Sequence, residues 1–241
     1  MDEELIYCSL IFFVAFFVRG LTGFGAGLIA IPVMATMYPL KFVVPLHLFF
    51  EFIVGIFLLP KAWKEVDWRQ VWNLSIGMFI GNLSGAHVLA TVGNNLLKGI
   101  LSVVVLLFAA QLAWAAGRKN NWKVPGRLAP VVGLVGGVFG GALGMSGPLV
   151  VPYLANQFER KEVLRASLIA LFQVVGFWTF GAYLWLGLYT QESVDVGLKL
   201  FPTFLIALVL GHLAHVKVSE VIFRRLMACI LLMSGLLLIF G

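Results

Sequence analysis

The sequence predicts an all-α integral membrane protein made of two inverted repeats, each a glycine-rich re-entrant helical hairpin followed by three transmembrane helices. Three observations carry that prediction. Of 241 residues, 61% are hydrophobic and only 12% are charged, against about 25% charged in an ordinary soluble domain. Two glycine-rich stretches, Gly20–Pro32 and Gly140–Pro152, interrupt apolar runs at matching places. At an offset of 120, Gly20 falls on Gly140, Gly27 on Gly147 and Pro32 on Pro152. Lastly, most Lys and Arg residues can share one membrane face only if each glycine stretch turns the chain back.

The elements follow in order. Leu5–Val18 is an apolar run of about 14 residues, roughly 21 Å of helix, which is too short to cross about 30 Å of hydrocarbon. Arg19 and the first glycine stretch come next, then a returning leg, Gly27–Tyr38, with Pro32 inside it. Crossings over Phe42–Leu59, Val71–Ala90 and Leu96–Ala116 complete a first repeat, 1–116. A polar, basic linker, 117–127, leads to a second repeat, 128–241. That repeat holds a leg Leu128–Phe139, the second glycine stretch, a returning leg Pro148–Asn156 and crossings over Ala166–Leu188, Val196–His215 and Val221–Phe240. Two further marks support duplication: Gly81, Asn82 and Leu83 read against Gly211, His212 and Leu213, and Ile53, Val54 and Gly55 against Val174, Val175 and Gly176. Glycines at matched positions equally suit ordinary helix packing.

Charge placement decides between topologies. If each broken segment crossed once, the basic regions 117–127 and 160–165 would lie on opposite faces. If each returns to its own face, four loops share a side. They hold Lys61, Lys64 and Arg69; Arg118, Lys119, Lys123 and Arg127; Arg160, Lys161 and Arg165; and Lys217, Arg224 and Arg225, or 13 of the 17 Lys and Arg. The positive-inside rule makes those loops cytoplasmic and the acidic N-terminus external. The net charge of +6 is then a topology signal, and no nucleic-acid partner is expected. The start, Met-Asp-Glu-Glu, lacks the basic region of a secretory signal, so the first apolar run reads as mature protein. Cys8 and Cys229 stand alone in apolar surroundings and read as small hydrophobes; neither metal nor cofactor is expected.

Three crossings per half invert the halves, so two hairpin tips approach each other near mid-membrane, the arrangement of inverted-repeat secondary transporters. The returning helices begin near Ala26 and Ser146, and their first N–H groups lack intrahelical partners. Such termini hold anions without side chains, and glycine lets a ligand close to them. The candidate anion site is therefore Arg19, Gly20, Thr22, Gly23, Gly25, Ala26 and Gly27 from the first stretch and Gly144, Met145, Ser146 and Gly147 from the second. Arg19 is the one basic residue within a broken segment; it belongs to the anion pathway or snorkels to an interface. Thr22 and Ser146 donate hydroxyl bonds to a ligand or cap the returning helices. Asn82 and His212, at matched places, contact substrate or bridge helices. Glu51 carries a coupling proton or makes a helix–helix bond when protonated. His47 and Gln173 are further polar residues inside apolar spans, while His87 and His215 lie near span ends.

No catalytic set is expected. Gly144, Met145, Ser146 and Gly147 have the GxSG form found around the nucleophile of rhomboid-type intramembrane proteases, with His212 as a conceivable base. The repeat partner, Phe24 to Gly27, lacks the serine, so the glycine frame does not depend on a nucleophile.

The duplicated G-x-x-G-x-G-x-G-x-x-x-x-P pattern at Gly20–Pro32, its variant at Gly140–Pro152 and the four-plus-four layout resemble the sulfite exporter TauE/SafE family over essentially the whole chain. The resemblance implies a cytoplasmic-membrane permease for a small sulfur-containing anion such as sulfite or an organosulfonate. Ala26, and Met145 with Ser146, depart from the family's glycine runs and bear on substrate size. The leading expectation is alternating-access transport, with proton or cation coupling and a monomer or homodimer. A passive anion channel of the same fold is the alternative.

Overall fold

A computed structural model describes residues 2–115, 124–214, 229 and 231–238, without the side chains of residues 2, 3, 22 and 112–115. The described chain is helical and contains no strand. Its helices are α1 (Asp2–Thr22), α2 (Ala26–Met34), α3 (Leu40–Ala62), α4 (Trp68–Thr91), α5 (Asn94–Ala115), α6 (Ala129–Leu143), α7 (Gly147–Gln157), α8 (Lys161–Trp185) and α9 (Gln191–Leu213); residues 231–238 are helical too. Seven helical segments among the described residues are long and apolar enough to cross a membrane: those containing α1, α3, α4, α5, α6, α8 and α9.

Helix ends follow local chemistry. The Asp67 carboxylate accepts from the Gln70 N–H at 3.0 Å and starts α4. Thr190 and Ser193 form a reciprocal capping box that starts α9. Gly144, at φ 68°, ends α6 in the left-handed region that only glycine enters freely. Gly23 and Gly25, at φ 85° and 98°, make the first break.

The breaks are shorter than the sequence predicts. The first leg is the 21-residue α1, about 31 Å of helix, in place of 14 residues, and it runs on through Arg19 and Gly20. Length therefore does not bar it from crossing. Likewise α6 continues through Gly140 and Gly141 to Leu143. Glycine costs a helix only about 1 kcal/mol, and here neighbouring backbones fill the missing side chains. The ideal Cβ position of Gly20 lies 2.7 Å from the Leu208 carbonyl oxygen on α9.

Two intimate helix pairs frame the bundle, α1 with α9 and α4 with α6. Gly77, Gly81 and Gly85 of α4 abut the α6 backbone at Pro130, Leu134 and Val138, while Gly133, Gly137 and Gly141 abut α4 at Leu74, Met78 and Asn82. Residue numbers rise together, so these helices run parallel. By contrast α3 and α8 run antiparallel. Arg160 meets Glu65 at 3.3 Å, Gly55 abuts Gln173, and Phe52 stacks on Phe180 at 5.4 Å.

Contacts link the end of each short helix to the start of the helix before it. Past α2, Tyr38 lies beside the Cys8 side chain near the start of α1. Within α7, Tyr153 donates to the Gly126 carbonyl at 3.2 Å and Gln157 donates to Val124 at 2.7 Å, both just before α6. Phe12, Phe16, Phe50 and Phe204 lock α1, α3 and α9 together; the Phe16–Phe204 contact is edge-on at 4.8 Å. The linker's basic residues Arg118, Lys119 and Lys123, with His215, Lys217, Arg224 and Arg225, lie outside the described residues. Cys8 is buried, as a small hydrophobe should be, and Cys229 is exposed.

Candidate functional site

Both breaks open into one cavity of about 90 Å³. Gly25, Gly27 and Phe24 line it from the first break and Gly144, Met145, Ser146 and Gly147 from the second. The α3 side chains His47 and Glu51, Asn82 of α4, and Phe172, Thr179 and Tyr183 of α8 close it, and Arg19 enters from the last turn of α1. A space of this size holds several waters or one small polyatomic ion.

Glycine shapes the floor. A Cβ on Gly27 would sit 3.0 Å from the Gly144 carbonyl oxygen and 3.0 Å from His47 Nε2, so a side chain there would close the approach of the two breaks. Gly25 and Gly147 differ: at Gly25 a Cβ would meet nothing within 4 Å, and at Gly147 only Val151 Cγ2 at 4.0 Å. Both border open space.

The polar groups point to an anion. Arg19 is 1% exposed, and its Nη2 pairs with Glu51 Oε2 at 2.9 Å. Its Nε and Nη1 are buried without a hydrogen-bond partner. A buried donor without a partner is costly, on the order of 1–3 kcal/mol, and a ligand oxygen relieves that cost. The Phe172 ring lies 5.8 Å from the guanidinium carbon and adds a weak cation–π contact. At the two helix starts, Leu28 bonds back to the Gly25 carbonyl at 3.1 Å, and Leu149 and Val150 bond to the Ser146 carbonyl at 3.2 Å. The N–H groups ahead of them, on Ala26, Gly27 and Gly147, are the ones helix geometry leaves over. Ser146 makes no side-chain cap bond, which leaves its hydroxyl on the cavity wall.

Other side chains are already engaged. Asn82 donates to Met78 O at 2.8 Å, leaving its carbonyl oxygen toward Gly140; Thr179 donates to Val175 O at 2.9 Å; Tyr183 donates to Gly141 O at 2.7 Å and ties α8 to α6. Glu51 Oε1 stands 3.7 Å from His47 Nε2. Among the described residues the cavity thus contains one guanidinium, one carboxylate and two helix N-termini of positive potential.

The candidate residues separate into two groups. Arg19, Gly25, Gly27, Asn82, Gly144, Met145, Ser146 and Gly147 line the cavity. Gly20, Gly23, Ala26 and His212 lie away from its wall. Gly20 packs on α9 beside the His212 backbone, Gly23 packs on Arg165, and Ala26 is fully buried beneath the break. The Thr22 side chain lies outside the described residues. His212 therefore does not face Ser146 across the cavity, as a base for that serine would. Sequence reasoning missed the α8 wall, because Phe172, Thr179 and Tyr183 sit in an uninterrupted apolar run. It also placed Arg165 in a loop, whereas it lies in the second turn of α8 and donates to the Gly20 carbonyl at 3.2 Å. No group of three or more His, Cys, Asp or Glu able to hold a metal occurs among the described residues.

No curated protein and no solved structure matches the chain. Among known families, "Sulfite exporter TauE/SafE" matches it from residue 8 to 238. That match covers nearly all of a helical chain with seven membrane-length apolar helices, and the chain belongs to the sulfite exporter TauE/SafE family.

Proposed function

We propose that the protein is a secondary transporter for a small sulfur-containing anion such as sulfite or an organosulfonate. The anion sits between the two glycine breaks, on the free N–H groups of Arg19 and the first turns of α2 and α7. The observation that carries this reading is Arg19 itself. It is a cation buried to 1% exposure whose Nε and Nη1 lack partners, on the wall of a cavity that both breaks share. Family membership supports the same substrate class.

We read the halves as inverted repeats, with α1–α2 and α6–α7 as re-entrant hairpins. The antiparallel course of α3 and α8, which hold corresponding places in the two halves, supports inversion. The return of Tyr38 to Cys8 and of Gln157 to Val124 supports the hairpins. The breaks lie past each other, with Gly23 beside Arg165 near the start of α8 and Gly144 beside Val44 near the start of α3. Overlapping hairpins of this kind form a site that rocking of one half against the other exposes to either face.

The test is flux of sulfite and of methanesulfonate into proteoliposomes. Saturable flux is expected, abolished by Arg19→Ala and by Gly147→Val, which fills cavity space without touching packed backbone. Flux that ignores Arg19→Ala and bulky substitutions at Gly25 and Gly147 overturns the site. Flux that saturates poorly and needs no coupling-ion gradient favours a passive channel instead.

A further inference from the structure

We propose that the Arg19–Glu51 ion pair is the proton-coupling switch of this cavity: an entering anion takes up Arg19, and Glu51 takes up a proton in exchange. The inference rests on the anion-site reading above and names the coupling ion that reading leaves open.

Charge counting drives it. On the cavity wall one guanidinium faces one carboxylate, joined at 2.9 Å, and as an ion pair the two charges cancel. An anion bound at Arg19 Nε and Nη1 makes two negative charges around one positive charge. An uncompensated charge away from water costs several kcal/mol, and buried groups avoid that cost by changing protonation. Among the described residues, Glu51 is the one carboxylate on the cavity wall. Only its Oε2 holds Arg19; Oε1 stands 3.7 Å from His47 Nε2, beyond hydrogen-bond reach. The Glu51 side chain is 19% exposed, whereas Arg19 is at 1%, so the carboxylate is the member of the pair that an incoming proton can reach.

The step balances. A proton from water binds a Glu51 oxygen as the anion binds the guanidinium, and both leave together when the ion pair re-forms. A monovalent anion then crosses with one proton and no net charge. The same exchange runs in either direction, set by the two gradients. The other titratable or charged groups near this pair are His47 on α3 and, on α8, Tyr183 and Arg165. Tyr183 is committed to the Gly141 carbonyl and Arg165 to the Gly20 carbonyl. His47 is the one competing proton acceptor on the cavity wall, and the Glu51 variant separates it from Glu51.

Isothermal titration of the full-length protein in detergent, repeated in buffers of different ionisation heat, tests the exchange. The probes are methanesulfonate, whose charge is fixed, and sulfite held between its two titrations as monovalent bisulfite. About one proton should be taken up per anion bound, and affinity should rise about tenfold for each pH unit of acidification, the slope of one coupled proton. In Glu51→Gln, which mimics the protonated carboxyl, proton uptake should vanish and affinity should lose its pH dependence. Anion binding without proton uptake overturns the proposal, as does proton uptake that survives Glu51→Gln. Failure of both anions to bind overturns the anion-site reading itself and this inference with it. If Glu51→Gln does not fold, the wild-type proton count still decides.

Discussion

Arg19 and Glu51 sit on different helices, 32 residues apart, and each makes the other tolerable. A guanidinium at 1% exposure without its carboxylate would be a bare charge in apolar packing. Breaking such a pair from one side costs about 3–5 kcal/mol, most of it the stranded partner. A double-mutant cycle should therefore separate structure from transport. Glu51→Ala, which strands the buried guanidinium, should lower stability by about 3–5 kcal/mol. Adding Arg19→Ala should recover most of that loss while leaving anion flux at background. Thermal unfolding read beside flux checks it, and a double variant that recovers flux would remove Arg19 from the anion path. Arg19 was legible in the sequence, as the lone basic residue in a broken segment. Its partner was not: an isolated Glu51 in an apolar run does not reveal which helix it faces. Sequence reasoning kept the two residues in separate roles, and the ion pair joins them.

Glycines that look alike in sequence do opposite jobs in the helices. Those at Gly25 and Gly147 border open space, but Gly77, Gly81 and Gly85 of α4 interlock with Gly133, Gly137 and Gly141 of α6. The spacing of four in both helices is the small-xxx-small pattern that lets backbones approach inside a membrane. Gly81 was legible as a mark shared with Gly211, and both prove to be contact glycines. A Cβ on Gly81 would run into the Leu134 carbonyl, and one on Gly211 into the Phe17 carbonyl. Close helix packing alone accounts for the glycine at both of these matched positions. Gly81→Ala should destabilise by about 1–3 kcal/mol through overpacking. Gly99→Ala on α5, where a Cβ meets nothing within 4 Å, should be neutral or gain up to about 1 kcal/mol of helix propensity. Parallel thermal denaturation of the two variants reads the difference. Equal effects would mean that the close α4–α6 approach carries no weight. The same contacts explain why α1 and α6 outrun their expected ends: helix breaking by glycine is a weak local tendency, and a packed neighbour overrides it.

The two halves exchange partners, with α1 of the first on α9 of the second and α6 of the second on α4 of the first. Neither half completes the cavity alone. Yet the cavity is chemically one-sided. At sequence offsets of 120 and 121, Arg19 and Glu51 fall on Phe139 and Phe172; the charge pair belongs to the first half of the chain, and Phe172 lines the cavity from the second. Sequence comparison of the halves reads their shared glycines and cannot foresee this, because the functional residues are the ones that differ. Charge patterning groups four loops at one end, and two of those turns meet among the described residues. Arg160, after α7, reaches Glu65, before α4, at 3.3 Å, and that contact ties the two turns together. The single-crossing alternative puts those turns on opposite membrane faces; re-entrant hairpins put them on one. In a background with exposed Cys229 replaced by Ser and buried Cys8 kept, Lys64→Cys and Glu159→Cys should resist an impermeant maleimide applied to intact cells. Both should react once the membrane is opened. Glu192→Cys, at the start of α9, should react from outside at once. Outside labelling of Glu159→Cys alone would mean that α6 and α7 together cross the membrane. The second break would then be a kink in a crossing helix, and the two glycine stretches would not serve as paired re-entrant walls of one anion site.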